Sequence, residues 1–259
     1  MKTLNKHNLL IFTFCLSFFV SYGQSDKPRY EAHWAGIDIG MNMLMNDEMN
    51  TDFTDHQYWE NNIIQSSSTH LNILEYKIPI FKQYLGLTTG FGWHINSYSF
   101  KDNYVLFSND SIVSASMDEQ QEYDQNYLTV HYLSVPLLLD FSTKVKGKNS
   151  FYLCAGVVGS VRVGSKTTLK GDYANGDKFK NTRRSKFNLN PIAVDATVRA
   201  GYNGIGIFAS YGLTPLFQKD KTVAIYPLRF GLTLNIPTIG KDKSESSLED
   251  FEEEMLEEL

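Results

Sequence analysis

The sequence predicts an all-β fold, an eight-stranded antiparallel up-and-down transmembrane β-barrel, on three observations. Apolar residues alternate with small or polar ones over eight segments, the period of a strand with two unlike faces. Those segments run for about 11 to 16 residues, against about 5 or 6 for an ordinary strand. A tilted strand needs about 9 to 11 residues to cross the apolar zone of a bilayer, so the lengths suit a membrane wall. The connections between segments also alternate long and short, as loops and turns do at the two ends of such a barrel.

Before the barrel comes a targeting segment. Lys2 and Lys6 precede the apolar run Leu9–Val20, and Ser21-Tyr22-Gly23 supplies small residues ahead of Gln24. This is the layout of a signal peptide cleaved after Gly23, with an apolar run too short to anchor the chain. Cys15 lies inside that run without the small residues of a lipoprotein signal, so no lipid anchor is expected. Cleavage leaves Cys154 as the mature chain's one thiol and rules out an internal disulfide. The predicted parts are therefore residues 1–23 as signal, 24–237 as barrel and 238–259 as an acidic tail.

The strands are expected at 33–43, 70–80, 84–98, 127–142, 151–165, 187–202, 205–215 and 223–236. Asn203-Gly204 is a two-residue hairpin signal between the sixth and seventh. Period two does not say which face meets solvent; composition does. The polar face carries Gly, Ser and Thr with few charges, where a water-facing surface would collect Lys and Glu. Glycines suit a crowded interior. The opposite face is Leu, Val, Ile and Ala, with Trp93, Tyr202 and Tyr226 as girdle candidates. Apolar side chains are therefore predicted to face lipid.

The polar face then forms a lumen network of Asp38, Glu75, Lys77, His94, Asp140, Arg162, Asp195, Arg199 and Arg229, with four acids matched by four bases. Enclosed charges require partners, which the balance supplies. With eight strands the space inside is filled by side chains rather than open as a pore.

With these segments assigned, the chain resembles the eight-stranded outer-membrane β-barrels of Bacteroidota, called porin-like or PorT-like. The resemblance rests on His33-Trp34-Ala35-Gly36, Tyr127-Leu128-Thr129 leading to Val135-Pro136-Leu137-Leu138-Leu139, Ala155-Gly156-Val157 through Arg162-Val163-Gly164-Ser165, Phe187-Asn188-Leu189-Asn190-Pro191, and Tyr211-Gly212-Leu213-Thr214-Pro215-Leu216-Phe217. It covers roughly residues 30 to 237 and implies fold and an outer-membrane address, but no activity.

Function must then come from loops, tail or lumen. Loops 44–69 and 99–126 each carry −5, whereas loop 166–186 carries +5. Lys178, Lys180, Arg183, Arg184 and Lys186 are the candidates for holding an anion such as lipopolysaccharide phosphate; the alternative is that the oppositely charged loops pair with one another. Tyr58-Trp59 is either an exposed anchor for a partner or packing on the rim. The acidic tail, with Leu248, Phe251, Met255, Leu256 and Leu259 at near-helical spacing, is either a partner-docking helix or a disordered end. It could also reach Lys144, Lys146 and Lys148.

No catalytic set, cofactor or metal site is expected: His131 and Ser134 fall on opposite faces, His94 fits a satisfied lumen histidine, and no Asp/Asn spacing resembles a calcium loop. A net charge of −5 argues against nucleic acid. The leading expectation is a non-catalytic outer-membrane barrel in contact with membrane lipid and lipopolysaccharide, with a periplasmic or surface protein partner held by tail or loops. The alternatives are a barrel enzyme acting on envelope lipid or peptide, and a soluble lipocalin-like barrel with its faces reversed.

Overall fold

The computed structural model describes residues 31–236 except 54, 55, 83, 102, 109–111, 119–122, 144–149 and 174–176. The signal segment, the acidic tail and Lys144, Lys146 and Lys148 lie outside the described residues.

Among the described residues eleven strands follow in order: β1 Gly36–Met45, β2 Ser67–Phe81, β3 Leu85–Ser99, β4 Tyr104–Ser108, β5 Val113–Met117, β6 Gln125–Ser142, β7 Phe151–Asp172, β8 Lys178–Arg184, β9 Ile192–Tyr202, β10 Ile205–Gly212 and β11 Tyr226–Asn235. Eight of them close a ring in the order β1-β2-β3-β6-β7-β9-β10-β11 and back to β1, every pair antiparallel. Chain-adjacent barrel strands are neighbours throughout, which is the up-and-down connectivity. Short turns and both ends of the barrel chain lie at one rim, and the long loops lie at the other. At the short-turn rim Asn203 and Gly204 adopt φ of 50° and 82°, the paired left-handed residues of a tight hairpin.

The faces fall as composition predicts. Ile39, Leu137, Leu139, Ile205, Ile207 and Leu232 stand exposed, Ile205 by 63%. Asp38, Lys77, Asp140, Arg199, Arg229 and Thr233 are buried within. Such an inside-out surface has no place in water, where a belt of aliphatic side chains would remain unburied, but lipid is its natural solvent.

Three departures from the expected strands have local causes. β9 starts at Ile192 rather than 187, because Phe187 and Asn188 take φ of 48° and 49° and Pro191 has no N–H to give to a ladder. Loop 99–126 is not plain loop: β4 and β5 form a hairpin of their own. Loop 166–186 is likewise strand, with β7 running on to Asp172 and β8 pairing back on it. These extra strands project beyond the barrel, where no lipid face exists to impose the alternation used to find the others.

Large side chains fill the lumen where glycines leave room. A Cβ on Gly206 would meet the Tyr152 hydroxyl at 2.3 Å, and one on Gly201 would meet the Tyr152 ring at 2.5 Å. Gly206→Ala is therefore expected to destabilise the barrel by about 1–3 kcal/mol, the usual cost of overpacking. Urea unfolding in detergent micelles measures it, and Tyr152→Phe in the same background should recover part of the loss.

Candidate functional site

The first layer of the lumen, at the short-turn rim, is built by a segment ahead of β1. Ala32, His33, Trp34 and Ala35 are buried inside the barrel, not strand as the sequence predicts for residues 33–35. Gly36, at φ 143°, turns this segment into the wall, and a Cβ there would sit 2.0 Å from the Leu234 carbonyl oxygen. Polar groups in the wall hold the plug. Glu75 accepts the Trp34 and Ala35 backbone N–H groups at 2.9 and 2.7 Å. Asp140 accepts the His33 backbone N–H at 3.0 Å, Lys77 Nζ at 2.9 Å and Thr88 Oγ1 at 2.9 Å, and has His33 Nδ1 at 3.0 Å. The His33 ring stacks on Tyr152 with centroids 4.3 Å apart.

The second layer is centred on Asp38. Arg199 donates two hydrogen bonds of 2.8 Å to its carboxylate and a third, of 2.7 Å, to Thr233 Oγ1. Asn72 Nδ2 donates to Asp38 at 3.0 Å, and His70 Nδ1 stands 3.4 Å away. His70 stacks on His94 at 3.8 Å, while His94 Nε2 bonds Asn72 Oδ1 at 3.1 Å. Trp34 reaches up from the plug, its ring 5.2 Å from the Arg199 guanidinium carbon. A void of about 10 Å³ remains among these groups, room for about one water. The third layer is the ion pair of Asp195 with Arg229.

Above these layers the loops seal the wide rim. Leu44, Phe53, Trp59, Tyr98, Phe100, Leu106, Val113, Leu128, Val130, Tyr132, Phe187, Leu189, Leu216, Phe217 and Ile225 form one buried apolar cluster drawn from strand tops and all four long connections. Trp59 is fully buried, packs 4.8 Å from Phe217 and donates from Nε1 to Thr222 at 3.0 Å. It is rim packing and not an exposed anchor. Between β5 and β6, Tyr123 donates to Asp118 at 2.6 Å. Burial and that carboxylate push the Tyr123 phenol up to about 12.

The sequence-predicted network thus divides. Asp38 with Arg199, Asp140 with Lys77, and Asp195 with Arg229 are brought together, and His94 joins the Asp38 layer. Glu75 and Arg162 do not meet. Glu75 serves the plug, and Arg162, at the loop end, donates to Ser165 Oγ and the Lys186 carbonyl at 3.1 and 3.2 Å. The four acids and four bases therefore do not form four ion pairs with one another: three pairs form among these eight residues.

Sequence reasoning set Trp34 on the inward face but missed that His33 and Trp34 belong to a plug, and it missed His70. An uninterrupted alternation through β2 would set His70 on the same face as Leu74. A bulge at Ile73, between the pairs Asn72–Gly92 and Leu74–Phe91, shifts the parity and turns His70 inward. Ile73 and Leu74, exposed by 55% and 49%, are the trace it leaves in sequence: two adjacent outward apolar residues.

His33, Asp140 and Cys154 place their ligand atoms within 4.8 Å of one another. The Lys77 ammonium already supplies the positive charge at Asp140, so the set does not fit a resident metal ion. The residues considered for hydrolysis do not converge. Ser134 Oγ bonds Ser160 Oγ at 2.8 Å inside, and His131 lies outside against Trp93 at 5.8 Å.

Of the basic candidates, Lys178, Lys180 and Arg184 lie on one face of β8 and Arg183 on the other, its guanidinium 5.9 Å from the Phe187 ring centre. Lys186 follows the strand, exposed.

A closed ring of eight strands, apolar outside and ion-paired inside, is the arrangement of an outer-membrane barrel. The family model described as "Outer membrane protein beta-barrel domain" matches residues 23–218. The chain belongs to this family. Its barrel accordingly resides in the outer membrane. Two solved structures are similar to it, both of Ail, the attachment invasion locus protein of Yersinia pestis, one of them in complex with the heparin analogue sucrose octasulfate. They share 15% and 14% identity, cover 80% of this chain and 99% of their own, and give TM-scores of 0.29 and 0.30. No curated protein matches.

Proposed function

We propose that this protein is a non-conducting, non-catalytic barrel that serves as a rigid outer-membrane mount for its loop end. The observation that carries the reading is the series of obstructions along the lumen: plug, Asp38–Arg199 layer, Asp195–Arg229 pair and apolar lid. A conduit needs a continuous polar path, and an enzyme needs an accessible cleft with converging acid–base groups. Neither is favoured by a bore packed with paired charges beneath a sealed lid. In this reading residues 1–23 are removed on export, the short turns face the periplasm, and the long loops face outward. The motifs quoted above favour membership of the Bacteroidota PorT-like group. The acidic tail at 238–259 is then periplasmic and available to a protein of a larger envelope assembly.

The purified protein reconstituted in a planar bilayer is expected to give no steady conductance above the bare membrane. Discrete, reproducible channel steps would overturn the reading. Whole-cell protease treatment that cuts the long loops, with the mature protein beginning at Gln24, supports the topology; loops protected on intact cells would reverse it.

A further inference from the structure

The three strands that rise past the barrel form a sheet with one strongly basic side. β6 pairs with β7 through Gln125–Lys170, Tyr127–Thr168 and Thr129–Lys166. β7 pairs with β8 through Lys166–Arg184, Thr168–Thr182, Lys170–Lys180 and Asp172–Lys178. Directly paired residues project from the same side of a sheet. One face thus collects Lys166, Lys170, Lys178, Lys180 and Arg184, against Asp172 alone.

Two features of this face call for a ligand. Lys166 stands directly opposite Arg184, and Lys170 directly opposite Lys180, so two cross-strand pairs are of like charge, an arrangement that destabilises a sheet left to itself. Lysines on an edge strand such as β8 would be explained by protection against edge-to-edge pairing. That explanation does not reach Lys166 and Lys170, which sit on the inner strand β7. Among the described residues no carboxylate makes an ion pair with any of these four, and Lys170 is engaged only by Gln125 Oε1 at 2.7 Å.

The direction of the face names the occupant. In β6 the lipid-facing residues are Val135 and Leu133, exposed by 53% and 38%, and the strand register carries the same side up through His131, Thr129, Tyr127 and Gln125, with Thr129 and Thr168 buried within that face. The basic face is therefore the upward continuation of the lipid-facing surface, turned sideways over the surrounding membrane. Lys166 comes three positions after exposed Val163, roughly 10 Å of strand, and Lys170 lies about 13 Å further on. Charged groups at that height meet the headgroups of neighbouring lipids.

We propose that the outward face of β6–β7–β8 binds phosphorylated glycolipid headgroups of the outer leaflet, with the Lys166–Arg184 and Lys170–Lys180 pairs as phosphate sites. Arg184 can take a phosphate by two parallel hydrogen bonds, and the lysines act as point charges. A phosphate between each pair turns mutual repulsion into shared attraction. The inference rests on the reading that the long-loop end faces outward.

The test uses the full chain folded in nanodiscs of phosphatidylcholine alone, or with bisphosphorylated lipid A added. The wild type is expected to unfold at higher urea in the lipid A discs, and about 0.5 M NaCl should erase that gain through screening. K166Q/K170Q/K180Q/R184Q is expected to equal or exceed the wild type in phosphatidylcholine discs, where only repulsion is lost. It should show no lipid A gain and retain roughly tenfold less lipid A through purification. Should it fail to fold, K170Q/K180Q keeps one pair and is expected to retain about half the shift. A merely structural role would move the stability of the variants alike in both kinds of disc.

The proposal is overturned if the wild type gains nothing from lipid A, or if the variants gain as much as the wild type. It is also overturned if soluble heparin at matched charge, added to phosphatidylcholine discs, reproduces the gain. That last result assigns the face to a free polyanion. Protease cleavage of the loops on intact cells separates the two failures: loops cut from outside with no lipid A gain removes only this inference, whereas protected loops remove the orientation beneath it.

Discussion

Arg199→Met should lower the stability of the folded barrel by about 3–5 kcal/mol, the largest loss expected from any single charge in the lumen. The side chain is 2% exposed, and the Asp38 carboxylate it holds is fully buried. Removing the guanidinium takes away both 2.8 Å bonds to Asp38 and the 2.7 Å bond to Thr233, while the carboxylate stays in the wall. Asn72 Nδ2 and His70 remain beside it, but a neutral amide cannot replace a cation. The damage is thus chiefly the stranded anion rather than the lost bonds. Asp38→Asn/Arg199→Gln, which strands nothing, should be more stable than Arg199→Met alone, with a coupling of about 0.5–3 kcal/mol between the sites. Urea titration of wild type, the Asp38→Asn and Arg199→Gln singles and the double variant closes the cycle. Additive single effects would mean that the pair is not a unit.

The wall of this barrel is legible in sequence because lipid outside and charge inside force every spanning strand into the same alternation. Ile205, Ile207 and Ala209 against Gly206, Phe208 and Ser210 could hardly be anything else. Asn203-Gly204 fixed a turn through backbone chemistry alone. Legibility falls where that two-solvent constraint ends. β4, β5 and β8 lie beyond the apolar belt, so their residues alternate weakly and passed for loop. Phe187, Leu189, Leu216, Phe217 and Ile225 are apolar because they build a lid, yet a period-two reading assigns three of them to strands. The lumen was half visible. Parity identifies residues that point inward, but pairing across the bore depends on the curvature of the closed ring. That is why Asp38 and Arg199, 161 positions apart, could be counted but not joined. The plug was hidden for another reason: Trp34 falls on the correct face, so nothing in the pattern distinguishes a residue in the wall from one folded into the bore.

Trp34→Ala separates sealing from packing. The indole is 1% exposed, lies across the site where Gly90 has no side chain, and covers the Arg199 guanidinium. Its loss should destabilise the barrel by about 3–5 kcal/mol, the range for truncating a buried aromatic. The neighbours cannot close the gap, since a Cβ on Gly90 would already be 2.1 Å from the Leu74 carbonyl oxygen. The plug itself should stay, because Glu75 holds it through the backbone N–H groups of residues 34 and 35, which the substitution leaves in place. Conductance should remain absent despite the new cavity, as the Asp38–Arg199 layer, the Asp195–Arg229 pair and the apolar lid lie beyond it in series. A chain that loses several kcal/mol and still passes no ions is therefore the expected result, read by urea unfolding and planar-bilayer recording on one preparation. Channel steps in Trp34→Ala would mean that this indole alone closes the bore and that the layers above it leak. The barrel would then be a gated conduit, with the segment ahead of Gly36 as its gate.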